Sequence, residues 1–91
     1  MKKYEIAKKK VLTPEISQIS VYAPLVAAKA QAGQFIILRV DEEGERIPLT
    51  ISSAVDGLVT VIYQKIGGTT LALDELKEGD CLQDFVGRLG L

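Results

Sequence analysis

Between Arg46 and Thr70 the chain gathers most of the residues that could hold a ligand. It reads Arg-Ile-Pro-Leu-Thr-Ile-Ser-Ser, then Asp56-Gly57, then Leu-Val-Thr-Val-Ile-Tyr-Gln-Lys-Ile, then Gly67-Gly68-Thr69-Thr70. Arg46 puts a fixed cation at the entry to this stretch. Gly-Gly-Thr-Thr reads as the start of a helix, where free N–H groups and the positive dipole end suit a phosphate. The two ends of this stretch therefore suggest one phosphate-containing ligand. Acid–base chemistry by the chain itself is narrower. The sequence has no histidine, which removes Ser-His-Asp and Cys-His arrangements and any histidine base. A reaction here would be carried by a cofactor.

The elements that must position these groups are β-rich. Asp56-Gly57 between two β-branched runs predicts a tight hairpin, because glycine accepts the positive φ such turns need. Val59, Val61 and Tyr63 pack on one face of its second strand. Upstream, Lys2 to Leu12 is a first strand with Tyr4 and Ile6 alternating against charge, and Thr13-Pro14 ends it. Lys8, Lys9 and Lys10 read as a solvated strand end or, less favourably, a phosphate patch. Glu15 to Ala23 is a second strand, with Ile19, Val21 and Ala23 on one face and Ser20 and Tyr22 on the other. Leu25 to Ala30 makes one helical turn. Gln34 to Val40 is a third strand, whose nearly continuous apolar run predicts burial on both faces. Asp41 to Glu45 is an acidic loop tip, because its carboxylates lack calcium-loop spacing. Thr69 or Thr70 caps a short helix over Leu71 to Leu76, with Asp74 and Glu75 in or near its first turn. Cys81 to Val86 is a sixth strand, with Cys81 as a small core residue.

Six short strands and one late helix predict an all-β chain, a six-stranded antiparallel barrel with one or two short helices. Closure into a barrel hides strand edges that would otherwise be exposed. The 91 residues form one domain, 1–91, with 47% apolar and 25% charged residues, within the ordinary globular range. A net charge of -1 argues against nucleic acid as a partner. No apolar run is long enough to span a membrane, and no signal core follows the basic N-terminus, so the expected location is cytoplasmic.

Three motifs, Ala-Gly-Gln-Phe at 32–35, Arg-Ile-Pro-Leu-Thr-Ile at 46–51 and Gly-Gly-Thr-Thr at 67–70, occur in an order that carries a resemblance. Nearly the whole chain resembles the N-terminal FAD-binding domain of the ferredoxin-NADP reductase family. Within it, the chain is most similar to the branch of the dihydroorotate dehydrogenase electron-transfer subunit and the sulfide dehydrogenase or NADH-dependent ferredoxin-NADP oxidoreductase small subunit. The resemblance implies a Greek-key barrel, FAD as cofactor and electron transfer between NAD(P)H and iron–sulfur partners. It implies that Pro48, Leu49, Thr50 and Ile51 line the isoalloxazine, with Thr50 where the family has serine. Gly67, Gly68, Thr69 and Thr70 would surround the pyrophosphate, and Arg46 would meet a phosphate oxygen.

Three positions depart from the family pattern. Arg46 stands four residues before Thr50 instead of three, which changes its face on a regular strand unless a bulge intervenes. Leu49 replaces a tyrosine and removes an aromatic partner for the ring. Gly87-Arg88-Leu89-Gly90 has arginine for the proline of the family's Gly-Pro-Leu-Gly exit. The family's nucleotide-binding α/β domain and the branch's iron–sulfur cysteines are not in these residues. The chain is therefore expected to be a separated flavin domain, not catalytically complete alone. Its partners would be a nucleotide-binding domain or catalytic subunit, and its uncovered apolar surface would favour a homo-oligomer.

Each residue also has a plain structural reading. Arg46 could neutralise Glu43 or Glu45, Thr50 fits any strand, Gly67-Gly68 could be a bare turn, and Gln34-Phe35 reads as turn and core. The alternative function is a non-catalytic barrel that serves assembly and binds no flavin on its own.

Overall fold

The computed structural model describes residues 1–89. Gly90 and Leu91, the end of the exit motif, lie outside the described residues. Six antiparallel strands run β1 (Ile6–Thr13), β2 (Ile16–Tyr22), β3 (Phe35–Arg39), β4 (Ile47–Val55), β5 (Leu58–Gln64) and β6 (Asp84–Leu89). Helix α1 (Pro24–Ala27) follows β2, and α2 (Gly68–Glu75) follows β5. The strand order is β1-β2-β5-β4-β3-β6, the six-stranded Greek-key arrangement expected. The two outer strands approach through backbone groups. Glu5 and Cys81 form an isolated antiparallel bridge, Leu82 N–H donates to the Tyr4 carbonyl at 3.0 Å, and Ile6 N–H to that of Asp80 at 2.8 Å.

Alternation explains the core. Ile19 and Val21 of β2 face Val61 and Val59 of β5 in register, and all four are fully buried. Tyr63, Ile36, Leu38, Ile51, Ile6, Phe85 and Leu73 join them, with Ala23, Val40 and Leu82. Burying each such side chain stabilises the fold by about 1.5–3 kcal/mol before entropy is charged against it. On the opposite face of β2 and β5, the hydroxyls of Ser20 and Thr60 meet at 2.8 Å. Asp56 and Gly57 both take positive φ, 53° and 79°, the type I′ geometry whose twist matches a two-residue hairpin.

Several expectations change. β3 is not buried on both faces: Ile36 and Leu38 are buried, while Phe35, Ile37 and Arg39 are half-buried. β3 pairs with β4 and β6 on its edges, but only its inner face meets the core. Helix α2 begins three residues earlier than Leu71, with Gly67 at its N-cap. Thr70 therefore does not cap from outside. It sits in the first turn and its Oγ1 reaches back to accept from Ile66 and Gly67 N–H, both at 3.0 Å. Asp74 and Glu75 consequently fall in the last turn, where the dipole does not favour them. Cys81 is exposed, not core. Strand β6 starts later, at Asp84, and the inward positions here are Leu82 and Phe85.

Candidate functional site

Register places the candidate residues of β4 on two faces. Phe35 pairs with Thr50 and Ile37 with Pro48, while Ile36 pairs with Leu49 and Leu38 with Ile47. Directly opposed residues share a face, so Thr50 and Pro48 look outward with Phe35 and Ile37. Leu49 leans on the core. Ile51 is 1% exposed; its N–H donates to the Gln34 carbonyl and its carbonyl accepts from Gly33 N–H. Ile51 thus supports the strand from within and has no side chain to offer a ligand. Phe35, Pro48, Leu49 and Thr50 line an open depression of about 370 Å³. Phe35, read from sequence as core, is the aromatic group beside Thr50. Counting alternation outward from the register would have found it, but the register is a property of the folded pair.

Arg46 precedes β4. The bulge in this strand falls at Ser52, between the Ile51 and Ser53 pairings, and none lies between Ile47 and Thr50. No bulge inside the strand therefore restores the three-residue phase. Arg46 contacts neither Glu43 nor Glu45 by an ion pair among the described residues. Its guanidinium donates to Asp84 Oδ2 at 3.3 Å, and Arg39 Nε reaches the same oxygen at 2.8 Å. Both cations share this one carboxylate oxygen, and the Arg46 side chain is 61% exposed.

The start of α2 is open. The amides of Gly68, Thr69 and Thr70 donate to no protein acceptor among the described residues, as the first turn of a helix dictates. A Cβ added at Gly67 or Gly68 would meet nothing within 4 Å. The glycines thus leave the approach clear, and these free amides fit a phosphate group. Gly68 and Thr69 share a depression of about 350 Å³ with Asp41, Glu43, Glu45 and Ala72. The acidic loop therefore stands beside these amides and works against an anion there. The β4 residues and the α2 residues line two different depressions, each at the lower end of the volume range of ligand sites. A dinucleotide would have to run across the surface between them.

The last turn of α2 carries a cluster that sequence reading missed. Lys9 Nζ donates to the carbonyls of Leu76, at 2.8 Å, and Asp74. The Asp74 carboxylate has Lys9 and Lys65 each at 3.5 Å and accepts from the Tyr63 hydroxyl at 3.0 Å. Burial pushes the Tyr63 phenol up, and its bond to the Asp74 carboxylate pushes it further. Burial opposes ionisation of Asp74, but the Tyr63 hydroxyl, Lys9 and Lys65 outweigh it and hold the carboxyl below its usual range. Lys9 is thus not a solvated strand end; its side chain is 18% exposed. A run of three lysines gives no local sign of which one turns inward. Among the described residues no group of three or more His, Cys, Asp or Glu is placed to hold a metal ion, and no helix is long and apolar enough to cross a membrane.

No family model matches the chain. It is 48% identical over 90 residues to an uncharacterised protein encoded in the adh 3′ region of Clostridium beijerinckii, covering 97% of this chain and 30% of that protein. It is 39% identical over 88 residues to a dihydroorotate dehydrogenase B (NAD⁺) electron transfer subunit homologue of Thermotoga maritima, covering 94% and 31% respectively. The fold superposes, with a TM-score of 0.93 and 36% identity, on a chain from the NADH-dependent reduced ferredoxin-NADP oxidoreductase structure, described there in terms of flavin-based electron bifurcation. That match covers 100% of this chain and 34% of the other. The chain belongs to this electron-transfer branch of the ferredoxin-NADP reductase family. Its homologues serve flavin-linked oxidoreductases, and it spans about a third of the length of the relatives it matches.

Proposed function

We propose that this domain is the FAD-binding module of a flavin-dependent oxidoreductase that moves electrons between NAD(P)H and iron–sulfur partners. The observation that carries the reading is the open first turn of α2, with the free amides of Gly68, Thr69 and Thr70, on a fold shared with flavin-linked relatives. These amides and the Thr69 and Thr70 segment would hold the pyrophosphate. The outward face of Phe35, Pro48 and Thr50 would receive the isoalloxazine, with Leu49 and Ile51 supporting it from the core side. Arg46, beside Asp84 on that outer face, would offer its exposed guanidinium to a phosphate oxygen. FAD, when bound, would supply the redox chemistry, the exchange of an electron pair for single electrons. The chain's own residues bind and orient it. A nucleotide-binding domain or catalytic subunit would complete the enzyme.

Titration of the purified chain with FAD, followed by quenching of flavin fluorescence, tests this. Saturable binding is expected. A colourless protein that FAD cannot saturate at millimolar concentration would sink the reading for this domain.

A second reading is an assembly module without flavin. It is favoured by Asp41, Glu43 and Glu45 beside the same amides, and by exposed Leu25, Ile66, Leu71 and Val86. On that reading the chain self-associates or docks a subunit through apolar surface. It predicts no flavin in the titration and concentration-dependent sedimentation. A monomer at high concentration would count against self-association.

A further inference from the structure

Helix α2 is anchored unevenly. Leu73 is its one fully buried residue, and Ala72 and Leu76 only lean on the core. A single apolar anchor fixes where a short helix sits but leaves its direction soft. The last turn is gripped instead by polar groups from β1, β5 and the residue just after β5: Lys9 on two carbonyls, Tyr63 and Lys65 on the Asp74 carboxylate. The first turn is tied only to the loop before it, through Thr70 Oγ1 on the Ile66 and Gly67 N–H groups, and among the described residues no strand side chain hydrogen-bonds to it. An eight-residue helix is about 12 Å long, so a tilt of roughly 10° at the last turn moves the first by about 2 Å. Amides that must meet a phosphate tolerate only about 0.5 Å of misplacement.

We propose that Lys9, Tyr63, Lys65 and Asp74 form a positioning cluster that aims the amides of Gly68, Thr69 and Thr70 at the pyrophosphate of FAD. The proposal rests on the flavin reading above. None of the four residues touches the ligand; they act through the direction of α2. Charge makes the point separable. Removing the Asp74 charge by itself favours any nearby anion, whereas losing its grip on Tyr63 and the lysines disfavours this one.

The test uses the full chain and two ligands, FAD and riboflavin, which lacks phosphate. Asp74→Asn and Tyr63→Phe are each expected to weaken FAD about tenfold, with riboflavin affinity unchanged. Lys9→Arg keeps a cation on the helix carbonyls and is expected to bind FAD more tightly than Lys9→Met. Circular dichroism establishes that each variant is folded; if Asp74→Asn is not, Tyr63→Phe, which deletes one oxygen, carries the decision. FAD binding that is unchanged or tighter, or that falls in step with riboflavin, overturns the cluster while leaving the flavin reading intact. A wild-type chain that binds no FAD overturns both.

Discussion

At the residue scale, the informative side chains are those whose partners are distant in sequence. Lys9 and Asp74 stand far apart in the chain, and nothing in the run Lys8-Lys9-Lys10 marks the middle lysine as the one that turns onto α2. Cys81 lies outside the core for a related reason. Its neighbour Leu82 takes the inward position, and the start of β6 decides which of the two that is. The ion pairs of Asp74 have a measurable consequence. Its carboxyl is held below the usual range, so the folded state binds the proton less readily than the unfolded chain. The stability it contributes is therefore fully present above the unfolded pKa of about 3.9 and is lost as pH falls through the lower folded value. Asp74→Asn is expected to be less stable than the wild type at pH 6 and to lose less stability between pH 4 and pH 2. Denaturant midpoints across that range check it; parallel curves would contradict the assignment.

At the element scale, strands were legible where period-two alternation met a clear turn. Val59, Val61 and Tyr63 in β5 are buried as alternation required, and the Asp56-Gly57 hairpin has the positive φ values its residue types invite. The start of α2 was not legible, because a threonine hydroxyl satisfies backbone donors equally well from the N-cap or from inside the first turn. Thr70 does the latter, which moves the helix start onto Gly68. The site inherits the same mixture. Thr50 and Pro48 face outward, whereas Ile51 belongs to the core, a distinction set by pairing with β3. Packing between elements yields a further expectation. A Cβ at Gly87 of β6 would collide with Val26 Cγ1 of α1. Gly87→Ala should cost about 1–3 kcal/mol from overpacking, and Val26→Ala in the same chain should recover part of it. Urea unfolding of the single and double variants measures both, and additive losses would show that the two residues do not compete for space.

At the scale of the whole molecule, the sheet order and the bridge between Glu5 and Cys81 bring both ends of the barrel together. The barrel presents its candidate flavin face and its candidate pyrophosphate site as two separate shallow depressions. One ligand reaching both must lie along the outside, as an extended dinucleotide can. Its relatives are about three times longer. The central claim is that both depressions belong to one FAD. It is tested most directly by recording the backbone amide NMR spectrum of isotope-labelled protein during FAD titration. The account predicts that Gly68, Thr69 and Thr70 shift together with Phe35 and Thr50, along a single saturation curve. Shifts confined to one depression, or clustered elsewhere on the barrel, would contradict it.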